Sequence, residues 1–217
     1  MPVRMDERTR QQLTELFDQM EGDVTLHVFT SEECAYCEEA EQIADILDGL
    51  SDKLRVEKWR HEESPAKAEE LGVDKYPAMV IQGRKPARCR YYGLPVGYEF
   101  SVLVDTILDA AGGEPSVSEE TLKIISGVSQ PVHIQVFVSP TCPYSPISAR
   151  TAFKFALLNR NISSDVIEAT EFPELVQKYQ IRAVPKIIIN EVVQFEGAGP
   201  EEDFAKKVLE AVKLSER

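Results

Sequence analysis

Two cysteines three residues apart, in Cys34-Ala35-Tyr36-Cys37, are the residues of this 217-residue chain best placed to do chemistry. They follow a short apolar run and open a stretch of helical periodicity, so Cys34 is expected where a strand gives way to a helix N-terminus. Unpaired backbone N–H groups and the positive end of the helix dipole favour a thiolate there. The spacing carries Cys37 one turn along, near enough to attack a mixed disulfide at Cys34 and release the bound partner as a thiol. This chemistry needs two thiols and no bound cofactor. The same spacing serves zinc, but a closed zinc site needs four ligands, and Cys89, Cys142, His27, His61 and His133 form no second close pair. No metal is therefore expected.

A second, incomplete copy of the motif lies further on. Sliding the sequence by 108 positions lays Val24, Val28, Phe29, Ser31, Cys34 and Tyr36 on Val132, Val136, Phe137, Ser139, Cys142 and Tyr144. The same shift carries Pro77 onto Pro185, so each half has a proline 43 residues after its cysteine. Beyond that the shift falls to 104, with Gly93, Phe100 and Val104 meeting Gly197, Phe204 and Val208, which implies a late loop shorter by four residues. In the second motif, Cys142-Pro143-Tyr144-Ser145, a serine stands at the resolving position. Ser145 cannot resolve a disulfide, though its hydroxyl could donate a hydrogen bond to a Cys142 thiolate.

To position these residues each half must supply a leading helix, a strand, the cysteine, a helix, a strand, a helix, two strands and a final helix. Residues 24–30 are short and β-branched, and Ala40, Ile43, Ala44, Leu47 and Leu50 recur at helical spacing after Cys37. A strand is expected over 54–59, then a helix over 64–71 with Ser64 as N-cap, Pro65 at its first position and Gly72 ending it. Residues 132–138, 143–159, 163–168 and 172–179 repeat that order. The fold class is α/β: two tandem units, each a central mixed sheet flanked by helices. The division is placed at residues 1–113 and 114–217, with 112–116 as linker. Pro77 and Pro185 each begin an apolar strand, and spacing leaves their peptide bonds open between trans and cis. Cys89, between Arg88 and Arg90, is expected on a late strand as a small packing residue. His27 and His133 are expected to be ordinary strand residues.

A formal net charge of −13, from 24 basic and 37 acidic residues, opposes binding to nucleic acid or anionic lipid. The apolar runs are too short to span a membrane and the first residues lack the apolar core of a signal peptide. A cytoplasmic setting is expected. Four cysteines in a chain of this length are too few for a secreted disulfide framework.

The paired cysteine and proline landmarks, with Tyr92-Gly93-Leu94-Pro95-Val96-Gly97-Tyr98-Glu99-Phe100 after the first, resemble the glutaredoxin-like protein disulfide oxidoreductases of thermophilic archaea and bacteria. That resemblance spans nearly the whole chain and implies two tandem thioredoxin-like units. It implies that Cys34 is nucleophile and Cys37 resolver, that Pro77 and Pro185 are cis, and that Tyr76-Pro77 and Val184-Pro185 hold an extended substrate segment beside the sulfurs, by strand-like pairing. It implies protein disulfides as partners, with an external thiol such as glutathione, or a reductase, as electron source. An electron relay from a thioredoxin reductase to a peroxiredoxin uses the same residues. A third reading is a glutathione-dependent iron-sulfur site at Cys142, against which Pro143 argues. Thioredoxins carry a buried acid on the strand before the motif; Val28 and Val136 stand at those positions, so both units look more glutaredoxin-like.

Overall fold

In the computed structural model, which describes residues 3–84, 88–112 and 115–215, the first repeat forms helix α1 (Glu7–Asp18), strand β1 (Val24–Thr30), helix α2 (Cys37–Leu47), strand β2 (Leu54–Arg60), helix α3 (Pro65–Leu71), strands β3 (Ala78–Gln82) and β4 (Cys89–Tyr92) and helix α4 (Phe100–Gly112). The second forms α5 (Glu119–Ser126), β5 (Val132–Val138), α6 (Ser145–Leu158), β6 (Ile162–Glu168), α7 (Pro173–Lys178), β7 (Lys186–Ile189), β8 (Val193–Glu196) and α8 (Glu201–Ser215). The order is the one the repeat implies. Local signals act where the sequence places them. Pro65 starts α3 after Ser64, which holds the N-cap position without a side-chain cap hydrogen bond, and Gly72, at φ +69°, stops it, a left-handed turn that glycine alone adopts without steric cost. The side chain of Asp6 caps α1 through the Thr9 amide at 2.9 Å. The junction expected at 113 and 114 lies outside the described residues.

Ala40, Ile43, Ala44 and Leu47 are the buried stripe of α2, and burying an Ile or Leu of this kind contributes roughly 1.5–3 kcal/mol. That stripe pins the Cys37 end of the helix against the sheet. β1 pairs in parallel with β2 and antiparallel with β3, placing Phe29 opposite Ala78. In the second unit β5 pairs the same way with β6 and β7, placing Phe137 opposite Lys186. In both units, therefore, the loop carrying the cysteine leaves the sheet at the end where the strand after the proline enters it.

The docking of the units is not visible in the repeat. β4 pairs in parallel with β6, so the strands form one eight-stranded sheet in the order β2-β1-β3-β4-β6-β5-β7-β8 rather than two separate sheets. Arg90 and Asp165 face each other across this seam; the Arg90 guanidinium donates to Asp165 at 2.6 Å and His133 meets the other carboxylate oxygen at 2.7 Å. The largest apolar cluster runs through both units, from Leu26 and Leu47 through Tyr91 and Phe153 to Ile187 and Val208. Arg150 of α6 ties to Asp105 and Asp109 of α4 over the sheet. Among the described residues no helix is long and apolar enough to cross a membrane.

Candidate active site

At the end of β1 the chain turns through Cys34 into α2, which starts at Cys37. The two sulfurs form a disulfide with 5.5 Å between the Cα atoms. Cys34 is half-buried and Cys37 is only 8% exposed, so an incoming thiol reaches Cys34 first. The Tyr76–Pro77 peptide is cis, as is Val184–Pro185. Each proline carbonyl accepts a hydrogen bond at 2.9 Å from the backbone N–H of Gly93 or Gly197, the glycines that the repeat brings into register. The side chain of Tyr76 is held by a 2.7 Å hydrogen bond to His61 Nδ1, with the rings 5.0 Å apart. Burial, with Glu62 and Asp74 nearby, holds the Tyr76 hydroxyl above its ordinary pKa and so keeps it neutral.

The second site differs in detail. The Cys142 thiol donates to the Val184 carbonyl at 3.4 Å, which places the sulfur directly against the cis-proline loop. Ser145 is fully buried as the first residue of α6, and its hydroxyl makes no hydrogen bond. The expected contact from Ser145 to Cys142 is therefore absent, because the thiol turns toward Val184 while the serine turns into the core. Tyr144, 63% exposed, flanks this cysteine, whereas Glu32, Glu33 and Glu38 stand exposed around the first.

Cys89 lies on β4, fully buried, its thiol directed to the Phe153 carbonyl at 3.7 Å. Burial pushes its pKa far up, and the neighbouring Arg90 charge offsets only part of this. It is a packing residue.

Sequence reasoning misses a group of carboxyls on the seam. Glu99 is fully buried and neither of its oxygens has a partner; Glu168 and Glu171 each bury one unpartnered oxygen, as does the Tyr91 hydroxyl. Gly93, at φ +93°, makes room for them, since a Cβ there would lie 2.8 Å from Glu168 and 3.0 Å from Glu171. Gly97, at φ +61°, sits against the Pro140 carbonyl, which also accepts from Tyr98 N–H at 3.1 Å. Gly97 of the first repeat's closing motif thus packs against the loop before Cys142, while Gly93 packs against Glu168 and Glu171. The motif is legible as a signature, but its long reach across the seam is not.

Burial, with the Glu168 charge beside it, pushes the Glu99 carboxyl up to about 8, and burial pushes Glu171 up to about 7 despite the Leu94 amide it accepts from. A carboxyl kept neutral by the fold holds a proton that the unfolded chain has released, so stability falls as pH rises from the ordinary glutamate range through these values. Glu99→Gln is expected to flatten that decline between pH 6 and 8, removing a slope of up to about 1.4 kcal/mol per pH unit. Urea unfolding at several pH values checks this.

Known proteins share this fold. Residues 132–210 match a family model described as a Thioredoxin domain. A protein disulfide oxidoreductase from Aeropyrum pernix superposes with a TM-score of 0.90 at 28% identity, over 97% of this chain and 95% of that one. The NTD_N/C domain of the Enterococcus faecalis alkylhydroperoxide reductase superposes with a TM-score of 0.87 at 23% identity, over 94% and 100%. By sequence, an alkyl hydroperoxide reductase from Staphylococcus epidermidis is 26% identical over 186 residues, 83% of this chain and 33% of its own length. The Bacillus subtilis protein named NADH dehydrogenase is 25% identical over 187 residues, 86% and 34%. The chain therefore spans about a third of the length of these curated relatives. A half-buried cysteine disulfide-bonded to a buried one, with a cis-proline in each unit and a sheet that superposes on the Aeropyrum pernix protein, gives the chain a thioredoxin fold similar to that of a protein disulfide oxidoreductase.

Proposed function

We propose that this chain exchanges disulfides with protein substrates, reducing, forming or isomerising them through Cys34 and Cys37. One observation carries the reading: the two sulfurs are joined in a disulfide of which the Cys34 side is the more open to an incoming thiolate. In the reducing direction the Cys34 thiolate attacks a substrate disulfide and Cys37 resolves the mixed disulfide, closing Cys34–Cys37; in the oxidising direction a substrate thiolate attacks Cys34, Cys37 leaves as a thiolate, and a second substrate thiolate releases the oxidised substrate. Tyr76-Pro77 offers backbone for pairing with an extended segment, a recognition mode indifferent to side chains. Val184-Pro185 does so beside Cys142, which acts as a second nucleophile whose adduct, with Ser145 unable to resolve it, waits for an external thiol such as glutathione. No bound cofactor takes part, and a reducing cytoplasm suits the chemistry.

A second reading is favoured by the matches to alkyl hydroperoxide reductases. In it the same dithiol relays electrons from a flavin-dependent reductase to a peroxiredoxin. Insulin reduction with dithiothreitol, run beside reduction of a peroxiredoxin, tests both. Turnover of insulin supports the general reading; turnover of the peroxiredoxin alone supports the relay, and turnover of neither rejects both.

A further inference from the structure

Cys37 must lose a proton before it can resolve a mixed disulfide, and the strand position that holds a carboxyl in thioredoxins is Val28 here, fully buried and apolar. The structure supplies an alternative. A cavity of about 260 Å³ opens beside Cys37, and its walls include Thr30, Arg60 and the four glutamates Glu32, Glu38, Glu41 and Glu62. Glu32, Glu38 and Glu62 are exposed residues; Glu41 alone of the four is half-buried. Glu62 is occupied in holding the Glu32 amide at 3.0 Å, and Glu38 accepts from Gln42 at 3.4 Å. Glu41 lies four residues after Cys37 in α2, hence on the same face one turn along. Its Oε1 accepts from the Thr30 hydroxyl at 3.4 Å, which steadies it at the end of β1.

We propose that Glu41, working through water in this cavity, is the proton acceptor for Cys37 in the resolving step. This rests on the exchange reaction proposed above and names the positioning residue of that same site. The Cys37 thiol gives its proton to cavity water and so to the Glu41 carboxylate. The Cys37 thiolate then attacks the Cys34 sulfur, the Cys34–substrate S–S bond breaks, and the substrate sulfur leaves as a thiolate that takes a proton from solvent. The Glu41 carboxyl returns its proton to bulk water, and the oxidation of two thiols to Cys34–Cys37 balances the reduction of one substrate disulfide. Arg60 lines the same cavity, the one cation beside its four glutamates among the described residues.

The second repeat provides an internal control. At the shift of 108 residues that relates the units, Thr30 corresponds to Val138, Cys37 to Ser145 and Glu41 to Ala149. Val138 and Ala149 are both fully buried. Where there is no resolving thiol there is neither the carboxylate nor the hydroxyl that anchors it.

The test uses the full chain with Cys142→Ala, so that Cys34 is the accessible thiol, reduced and mixed with Ellman's reagent in a stopped-flow instrument. The first thionitrobenzoate released reports attack by Cys34, and the second reports resolution by Cys37. Glu41→Gln is expected to slow the second release roughly ten- to a hundredfold near pH 6.5, the scale of a lost general base, while leaving the first unchanged. The deficit should close at alkaline pH, where hydroxide takes the proton directly. Glu41→Asp should recover part of the rate, and Thr30→Val should fall between wild type and Glu41→Gln. Superimposable pH profiles for wild type and Glu41→Gln, or a deficit that does not change with pH, would overturn the proposal while leaving the exchange reaction standing. Failure of the parent chain to release a second thionitrobenzoate would overturn both.

Discussion

In the insulin assay, Cys34→Ser is expected to lower turnover by roughly a thousandfold or more, the scale on which loss of a covalent nucleophile acts. Access to the sulfurs sets this expectation. Cys37 is buried where the disulfide packs on the helix, and Cys34 is the sulfur an incoming group can reach. A hydroxyl at position 34 is not ionised at neutral pH and forms no disulfide, and Cys142, with Ser145 three positions on, has no intramolecular resolving step and depends on dithiothreitol to clear each adduct. Cys37→Ser separates the roles: Cys34 still attacks, so turnover falls while a stable mixed disulfide accumulates and is visible by intact mass. Equal accumulation in the Cys34→Ser chain at Cys37 would reverse the assignment of nucleophile and resolver.

The second large effect concerns the seam. Asp165 is 2% exposed and Arg90 7%, and the carboxylate takes Arg90 on one oxygen and His133 on the other. Asp165→Ala leaves a buried guanidinium whose main partner is gone, a change that costs about 3–5 kcal/mol. Replacing both residues by apolar ones, as in Arg90→Met with Asp165→Leu, should restore most of that, because the expense lies in the unpaired charge and not in the absence of the pair. Denaturant titration of the three chains distinguishes these cases. The pair also gives acid sensitivity a sign. Burial alone would raise the Asp165 carboxyl; the His133 hydrogen bond and the Arg90 charge overcome it and hold the carboxyl below its ordinary value. Its contribution is therefore complete above the ordinary aspartate range and is lost as pH falls through that lowered value. The Glu99 group pushes the other way, so stability should peak at mildly acidic pH.

Local features are the legible ones. Val24–Thr30, the helix from Cys37, Ser64 with Pro65 and the turn at Gly72 are each dictated by a few adjacent residues, and the repeat supplies the rest by analogy between halves. The two prolines are legible as a matched pair, although spacing by itself leaves their isomer open. Contacts across the seam are not legible. Arg90 sits between Cys89 and Tyr91 as an isolated charge in an apolar strand, and Asp165 is a second such charge 75 residues away. Either alone reads as an edge or a surface position, and only their registration in β4 and β6 explains both. Glu99 escapes for the same reason: a lone glutamate in a loop motif reads as exposed, and only the fold shows that it is buried with Glu168 close by. Ser145 shows the limit from another side, since spacing offers its hydroxyl to Cys142 but the start of α6 turns it inward.

These features converge on a two-electron couple at Cys34 and Cys37. The most direct test equilibrates the native chain in dithiothreitol buffers of graded potential, quenches with acid, alkylates and maps the peptides by mass. The expected result is that the peptide holding Cys34 and Cys37 passes from no label to two labels in one cooperative two-electron transition, while Cys142 stays a free thiol throughout and Cys89 is modified only after unfolding. A Cys34–Cys37 peptide whose labelling does not change across the range, or whose two thiols titrate independently of each other, would contradict it.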